Sequence, residues 1–162
     1  MGRRAPREGG LKLTVLSVGK DRSGLFAPGV AEYTQRLQHY AKTELKELPE
    51  SRSSGAQART AEGEALLGKL SARDVLVALD ERGKQLSTPE LAQWLGKQQQ
   101  GGKDLAFVIG GDEGLSDEVR SRAALVLSLS RFTLPHRLAR LVLMEQLYRV
   151  FTLLRGESYH RA

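Results

Sequence analysis

The sequence contains no cysteine and no long uninterrupted hydrophobic run, and each absence excludes classes of protein. Without cysteine there is no disulfide framework, thiolate nucleophile, zinc ribbon or iron–sulfur site, and three scattered histidines predict no metal site. The longest apolar segment, residues 138–154, carries Arg140, Glu145 and Arg149 and is too charged to span a bilayer. The opening residues lack the apolar core of a secretory signal. We therefore expect a cytoplasmic protein without a membrane partner.

The composition is that of a folded globular chain, and its positive charge lies at the two ends. Of the 162 residues, 40% are hydrophobic and 27% are charged, which predicts a single compact domain. The net charge of +6 divides into +2 over residues 1–10, zero over residues 11–130 and +4 over residues 131–162. The basic residues of the last segment are all arginine, whose planar guanidinium suits phosphates and base edges. This favours an anionic partner such as nucleic acid, with a merely solubilising surface as the alternative.

Short β-like runs alternate with helical patterns after a polar start, which indicates an α/β protein with a mostly parallel sheet. Residues 1–10, MGRRAPREGG, predict a disordered basic leader, and residues 11–162 predict one domain. Five strands are predicted over residues 11–18, 43–48, 75–79, 105–109 and 126–130. Five helices are predicted to begin at Pro28, near residue 58, at an N-cap on Thr88, at an N-cap on Ser116 and after Pro135.

The last predicted helix, residues 136–154, is apolar on two sides rather than one. Leu138, Leu141 and Val142 fall on one side, whereas the opposite side holds Leu143, Leu147, Val150 and Leu154. One small sheet cannot bury both sides of a helix. We therefore expect a subunit interface on one side, with the Glu145 and Arg149 pair close to it.

Three segments follow predicted strands and are candidates for a ligand site, because ligands of open α/β sheets bind beyond the carboxyl ends of the strands. They are residues 79–83, 110–116 and 129–136. The glycine segment, GGDEGLS, has neither the dinucleotide spacing nor the P-loop lysine. Acidic residues in the first two segments would repel a phosphate chain, so S-adenosylmethionine, which is cationic, fits better. The alternative is a simple strand-to-helix turn with solvated acids.

Three stretches of the chain together resemble a known family. The early strand LKLTVLSVGK, the loop FVIGGDEGLS and the C-terminal LSLSRFTLPHRLARLVLMEQLYRVFTLLRGESYHR occur in the order and spacing of the RlmH-type 23S rRNA pseudouridine-N3 methyltransferases of the SPOUT class. The resemblance covers residues 11–162. The leader has no counterpart in shorter family members, and the Asp112-Glu113 pair varies in the family, which argues against a catalytic role for Asp112.

The resemblance implies a SPOUT-type α/β trefoil knot in the C-terminal half and a homodimer. It implies S-adenosylmethionine as methyl donor and N3 of a pseudouridine in helix 69 of 23S rRNA as the target, on the large subunit or the whole ribosome. The residues that it implies for cofactor binding are Leu79, Gly110, Gly111, Leu129, Ser130, Arg131, Phe132, Thr133 and Leu134.

The chain end holds the candidate catalytic residues. Tyr159, His160 and Arg161 combine an aromatic ring, an imidazole and a guanidinium, which suit stacking a base, accepting a proton and binding an anionic oxygen. The alternative is a frayed end. Candidate substrate-binding residues are His136, Arg140 and Arg155. Two other functions remain open: a non-catalytic rRNA-binding α/β module, and a nucleotide-dependent enzyme with a doubly wound sheet.

Overall fold

The computed structural model describes residues 10–160, which form one sheet with helices on both of its faces. In chain order the elements are β1 (Lys12–Val18), α1 (Ala27–Leu37), β2 (Lys42–Leu48), α2 (Gly55–Gly68), β3 (Asp74–Gln85), α3 (Thr88–Gln100), β4 (Asp104–Ile109), α4 (Asp117–Arg122), β5 (Leu125–Ser128) and α5 (His136–Leu154). All five predicted strands and all five predicted helices are present, although β3 extends beyond its predicted end and α3 has a different N-cap. No helix among these residues is long and apolar enough to cross a membrane.

The five strands pair in the order β2-β1-β4-β3-β5, and every pairing is parallel. Parallel strands are covered on both faces, which explains why every residue of β1 and β4 after the first is buried. One core cluster, built around Phe107, Leu143 and Leu147, lies beneath α1, α3 and α5. The second, built around Leu16 and Val108, lies beneath α2 and α4 on the other face.

Strand β3 is longer than the sequence predicts, and its second half bulges. The predicted strand ended at Leu79, but pairing with β5 shifts there and resumes at Lys84, so residues 80–83 project from the sheet edge. Gly83 is required inside this bulge, because a Cβ atom at that position would lie 2.6 Å from the carbonyl oxygen of Val126. The prediction that this strand ends at residue 79 is therefore wrong. Residues 80–83 nevertheless leave the hydrogen-bonded pairing with β5.

Two of the five helices described, α3 and α4, begin with a side-chain cap, and one of these caps differs from the prediction. The predicted cap Ser116 accepts a hydrogen bond from the Val119 amide at 3.3 Å. Helix α3 is capped by Ser87 and not by Thr88, because Ser87 and Glu90 form a reciprocal capping box. The Thr88 hydroxyl instead donates to the side-chain oxygen of Gln146 on α5, at 2.7 Å.

Helix α5 buries one of its two apolar sides within its own chain. Leu143, Leu147 and Val150 are fully buried against the sheet, whereas Leu154, predicted on the same side, is 38% exposed at the end of the helix. Leu138, Leu141 and Val142, on the other side, are only half-buried. The two apolar sides predicted from the sequence therefore differ in burial. The half-buried side, with Leu138, Leu141 and Val142, remains accessible to a partner.

Candidate active site

A cleft of about 610 Å³ opens at the carboxyl ends of β4 and β5, beside the bulge of β3. Its walls come from the three segments that the sequence analysis selected because they follow predicted strands. The bulge contributes residues 79–82, the glycine loop contributes residues 110–115, and the segment after β5 contributes most of residues 129–136. A cleft of this size at this edge of a parallel sheet is a typical ligand site.

The glycine loop is shaped by close packing of its own backbone. A Cβ atom at Gly110 would lie 2.7 Å from the carbonyl carbon of Gly114, and one at Gly111 would lie 3.1 Å from Cγ1 of Val18. The amide of Gly114 donates to the carbonyl of Gly111 at 3.0 Å, and Gly114 itself has a φ of +79°. Gly110 and Gly111 therefore line the cleft with bare backbone, because the Cβ positions at these two residues are closed off by Gly114 and Val18.

The segment after β5 is fixed by three hydrogen bonds. Ser128 Oγ donates to the carbonyl of Ser130 at 2.9 Å, and Ser130 Oγ accepts from the amide of Phe132 at 2.9 Å. Thr133 Oγ1 donates to Glu81 Oε2 at 2.8 Å, which ties the segment to the bulge of β3. Every residue that the sequence analysis assigned to the cofactor, except Arg131, lines the cleft: Leu79, Gly110, Gly111, Leu129, Ser130, Phe132, Thr133 and Leu134.

The cleft has an acidic lining. Four carboxylates and one guanidinium face it, from Asp80, Glu81, Arg82, Asp112 and Glu113. The Asp80 side chain is only 8% exposed and is bound by Arg82 and by Arg120 of α4. Burial alone raises the pKa of Asp80, but hydrogen bonds from the two guanidinium groups outweigh it and hold the pKa below its ordinary value. The lining is therefore anionic at neutral pH and suits a cationic ligand.

His136 begins α5 at the edge of the cleft. Its Nδ1 lies 3.4 Å from Asp112 Oδ1, and its Nε2 is buried without a hydrogen-bond partner. The ring is held against Gly19, where a Cβ atom would approach Nε2 to 2.9 Å. Of the predicted substrate-binding residues, His136 is the one that the fold brings to the cleft.

The two arginines predicted to bind substrate do not line this cleft. Arg140 is buried and donates to Glu47 Oε1 at 2.6 Å, so its guanidinium serves an ion pair between α5 and β2. The Arg155 guanidinium lies over the ring of Tyr40, 5.4 Å from its centroid. Arg149, in turn, pairs with Glu145, as the sequence predicts, with its Nη2 at 2.7 Å from Oε1.

The tail packs on the second half of α5. The Tyr159 ring meets Tyr148 edge-on at 4.7 Å, and the Arg149 guanidinium lies over it at 4.7 Å. Its hydroxyl lies 3.5 Å from that of Tyr33 and 3.2 Å from Glu145 Oε1. The hydrogen bond with Tyr33 and burial raise the pKa of Tyr159 above its ordinary value.

The two predicted catalytic residues that the structure describes, Tyr159 and His160, therefore lie apart from the cleft and its predicted cofactor residues within one chain. Glu145, the α5 contact of Tyr159, follows His136 by nine residues, about 13 Å along the helix axis. The Nδ1 atom of His160 is buried without a partner, and Arg161 lies outside the described residues. The structure brings His136 together with the predicted cofactor residues other than Arg131. It does not bring Tyr159 or His160 to them.

Sequence reasoning missed a buried carboxylate beneath the glycine loop. Glu62 of α2 is 6% exposed. Its Oε2 accepts from the Ser51 amide at 3.1 Å, and its Oε1 is buried without a partner, 3.7 Å from a Cβ position at Gly111. The helical periodicity of α2 could have indicated that Glu62 is buried, because Glu62 lies midway between the buried Ala58 and Leu66 at four-residue spacing.

The fold and the cleft together describe an α/β protein whose cleft, lined by backbone and carboxylates, suits a small cationic ligand. The chain belongs to the SPOUT methyltransferase family, whose model, described as a predicted SPOUT methyltransferase, matches residues 11–160.

Two relatives extend this match over nearly the whole chain, and both are named ribosomal RNA large subunit methyltransferase H. The protein from Anaeromyxobacter sp. (strain Fw109-5) is 54% identical and covers 93% of this chain and 100% of its own. The protein from Pelotomaculum thermopropionicum is 46% identical and covers 91% of this chain and 98% of its own.

Among solved structures, the chain is similar to the ribosomal RNA small subunit methyltransferase E of Neisseria gonorrhoeae bound to S-adenosyl methionine. The TM-score is 0.50 at 12% identity, over 86% of this chain and 66% of that one, which supports the fold alone. The predictions of a SPOUT fold, a methyltransferase and its methyl donor are confirmed at the level of the family. The position of the knot in the C-terminal half, the division into leader and domain, and the roles of individual residues stay predictions.

Proposed function

We propose that the protein transfers a methyl group from S-adenosylmethionine to large-subunit ribosomal RNA, at N3 of a pseudouridine in helix 69 of 23S rRNA. The observation that carries the proposal is the cleft, where residues assigned from the sequence converge from three separate segments. Near full-length similarity to proteins named for large-subunit rRNA methylation supports the choice of substrate. Such a reaction belongs in the cytoplasm, with the ribosome.

The cleft fits the proposed methyl donor by charge and by shape. Backbone of Gly110, Gly111 and residues 129–134 would hold its adenosyl part, because no side chain blocks the loop there. The carboxylates of Asp112 and Glu113 would attract its cationic groups. When bound, S-adenosylmethionine supplies a methyl group activated by a sulfonium.

The chain's own residues must then prepare the acceptor. N3 of a pseudouridine carries a proton, which has to leave before the nitrogen can attack, and the resulting imide anion needs stabilisation. In this proposal His160 accepts that proton and Arg161 binds the anionic oxygen. Since burial and hydrogen bonding keep Tyr159 protonated at neutral pH, its part is to hold the tail and to contact the base.

The separation of the tail from the cleft supports a homodimer. The tail contacts the second half of α5, while the cleft lies at its first turn, so a single chain keeps the two apart. Two copies joined through the half-buried side of α5, with their α5 helices antiparallel, would place each tail near the other copy's cleft. The active site proposed here is therefore shared between two chains.

The proposal is tested with ribosomes from a strain that lacks the gene. Large subunits or whole ribosomes from that strain are incubated with the purified protein and S-adenosylmethionine, and methylated nucleotides are mapped by mass spectrometry. We expect one added methyl group, on a pseudouridine of helix 69. Calorimetry separates the alternatives: a non-catalytic rRNA-binding module would not bind the donor, and a nucleotide-dependent enzyme would prefer a phosphorylated nucleotide.

A further inference from the structure

One aromatic ring at the rim of the cleft is exposed, against the trend of the chain's other large apolar residues. The Phe132 residue is 83% exposed. Among the described residues the other exposed large hydrophobics are Leu25, at 72%, and Leu154, at 38%. Of the three, Phe132 alone lines the cleft. Because a single exposed apolar side chain is common on protein surfaces, it is the position of this ring at the rim of the cleft that marks it as a contact for a ligand or for a second copy of the chain.

The exposure of Phe132 does not arise from a loose segment. Its own amide is held by Ser130 Oγ at 2.9 Å, and the next residue, Thr133, is tied to Glu81 at 2.8 Å. Both sides of Phe132 are therefore fixed by hydrogen bonds while its ring faces outward. A ring presented in this way loses little conformational entropy when it binds a flat partner.

The charge next to the ring points to a nucleic-acid partner. Arg131 is exposed, takes no part in any ion pair of the described chain, and does not line the cofactor cleft. On the facing wall, Arg82 is 69% exposed in its side chain while it pairs with Asp80. An aromatic ring beside an unpaired guanidinium is the combination that binds an unstacked base and its phosphate.

We propose that the Phe132 ring stacks on an unpaired RNA base at the mouth of the cleft, with Arg131 on the adjoining phosphate. The inference rests on the proposed function and adds a residue that positions the RNA. The backbone of Phe132 still forms part of the cofactor wall, so the residue contributes its backbone to one ligand and its ring to the other. Stacking depends on a planar ring, which makes the role separable from general hydrophobic contact.

The test compares three variants of Phe132 on the full chain. Phe132→Leu keeps an apolar side chain without a ring, Phe132→Ala removes both, and Phe132→Trp enlarges the ring. Affinity is measured by fluorescence anisotropy for a labelled RNA hairpin with the helix 69 loop sequence, without methyl donor. We expect the Leu and Ala variants to bind about tenfold more weakly and the Trp variant to match the wild type. Leu25→Ala, which removes another exposed apolar side chain away from the cleft, is the matched control and should leave RNA affinity unchanged.

Two further measurements make the result decisive. The dissociation constant for S-adenosylmethionine, from calorimetry, should change by less than about twofold in all variants, and light scattering should give the wild-type mass. A loss of donor affinity in Phe132→Leu would assign the ring to the cofactor, and a change of mass would assign it to an interface between copies. Unchanged RNA binding in Phe132→Ala would refute stacking. Because the hairpin assay contains no donor, ring-dependent binding would stand even if no methyl transfer were found, so the two proposals fail separately.

Discussion

The cofactor cleft and the tail surface are built by opposite means. The cleft is shaped by backbone: glycines with no room for a side chain, a serine-fixed turn and a strand bulge. The tail surface is shaped by side chains, because all four tyrosines of the chain, Tyr33, Tyr40, Tyr148 and Tyr159, gather there between α1 and α5. We therefore expect an added side chain to abolish ligand binding in the cleft. In the tail we expect activity to fall when individual side-chain contacts are removed.

The largest effect is expected from adding a side chain at Gly111. Gly111→Arg should weaken S-adenosylmethionine binding at least a hundredfold by calorimetry, because its Cβ atom would point at Val18 and Glu62 beneath the loop, so a long side chain must displace the loop backbone that lines the cleft. The circular dichroism spectrum should remain that of a folded protein. Gly111→Ala is the matched control: its Cβ atom would lie 3.1 Å from Val18, a contact that a small shift relieves, so affinity should fall far less. Donor affinity that survives in a folded Gly111→Arg variant would contradict the assignment of this loop.

Removing the tail should separate the two regions most clearly. Deletion of residues 159–162 should lower methyl transfer to ribosomes at least a hundredfold, while the dissociation constant for S-adenosylmethionine stays within a few-fold, since neither Tyr159 nor His160 lines the cleft. Within the tail, His160→Ala should mainly lower kcat, and Arg161→Ala should lower both RNA binding and rate. A truncated protein that methylates at the wild-type rate would make residues 159–162 a frayed end.

The cleft was largely predictable from the sequence because its signals are local. A strand that runs into Gly110 and Gly111, and another that runs into residues 129–134, identify the right edge of the sheet before any contact is known. The bulge of β3 was not predictable. It depends on how Gly83 meets the carbonyl of Val126 on the neighbouring strand, a contact between segments far apart in the chain.

The tail surface was harder to predict because its contacts are remote. Tyr33 and Tyr159 are 126 positions apart, and no periodicity of either segment indicates that their hydroxyls meet. The ion pair of Arg140 with Glu47 spans 93 positions, so the guanidinium of this residue takes part in the fold, and its predicted contact with RNA stays a prediction. Composition located the arginines at the chain end, but it did not distinguish those that pair internally from those that, like Arg131, take no part in an ion pair within residues 10–160.

The acidic wall of the cleft gives a smaller, pH-dependent effect. Asp80→Asn should lower the free energy of unfolding by about 1–3 kcal/mol at pH 7, because it removes a charge shared by Arg82 and Arg120. The pKa of Asp80 is lowered in the folded state, so its contribution is complete above the ordinary carboxyl pKa of about 4 and is lost as pH falls through the folded value. Urea titrations at pH 7 and below pH 4 should show the difference between wild type and variant shrinking. A difference that grows on acidification would contradict this sign.

The smallest effect is expected from a single hydroxyl, and it decides what Tyr159 does. Tyr159→Phe removes the contacts with Tyr33 and Glu145 but keeps the ring against Tyr148, so the free energy of unfolding should fall by only about 0.5–1.5 kcal/mol. Its raised pKa keeps the hydroxyl protonated at neutral pH, so it cannot serve as the base, and kcat should stay within a few-fold of the wild type. Tyr159→Ala is the comparison, since it also releases the ring from Tyr148 and Arg149 and should lower the rate much further. A Phe variant as slow as the Ala variant would instead give the hydroxyl a direct part in catalysis.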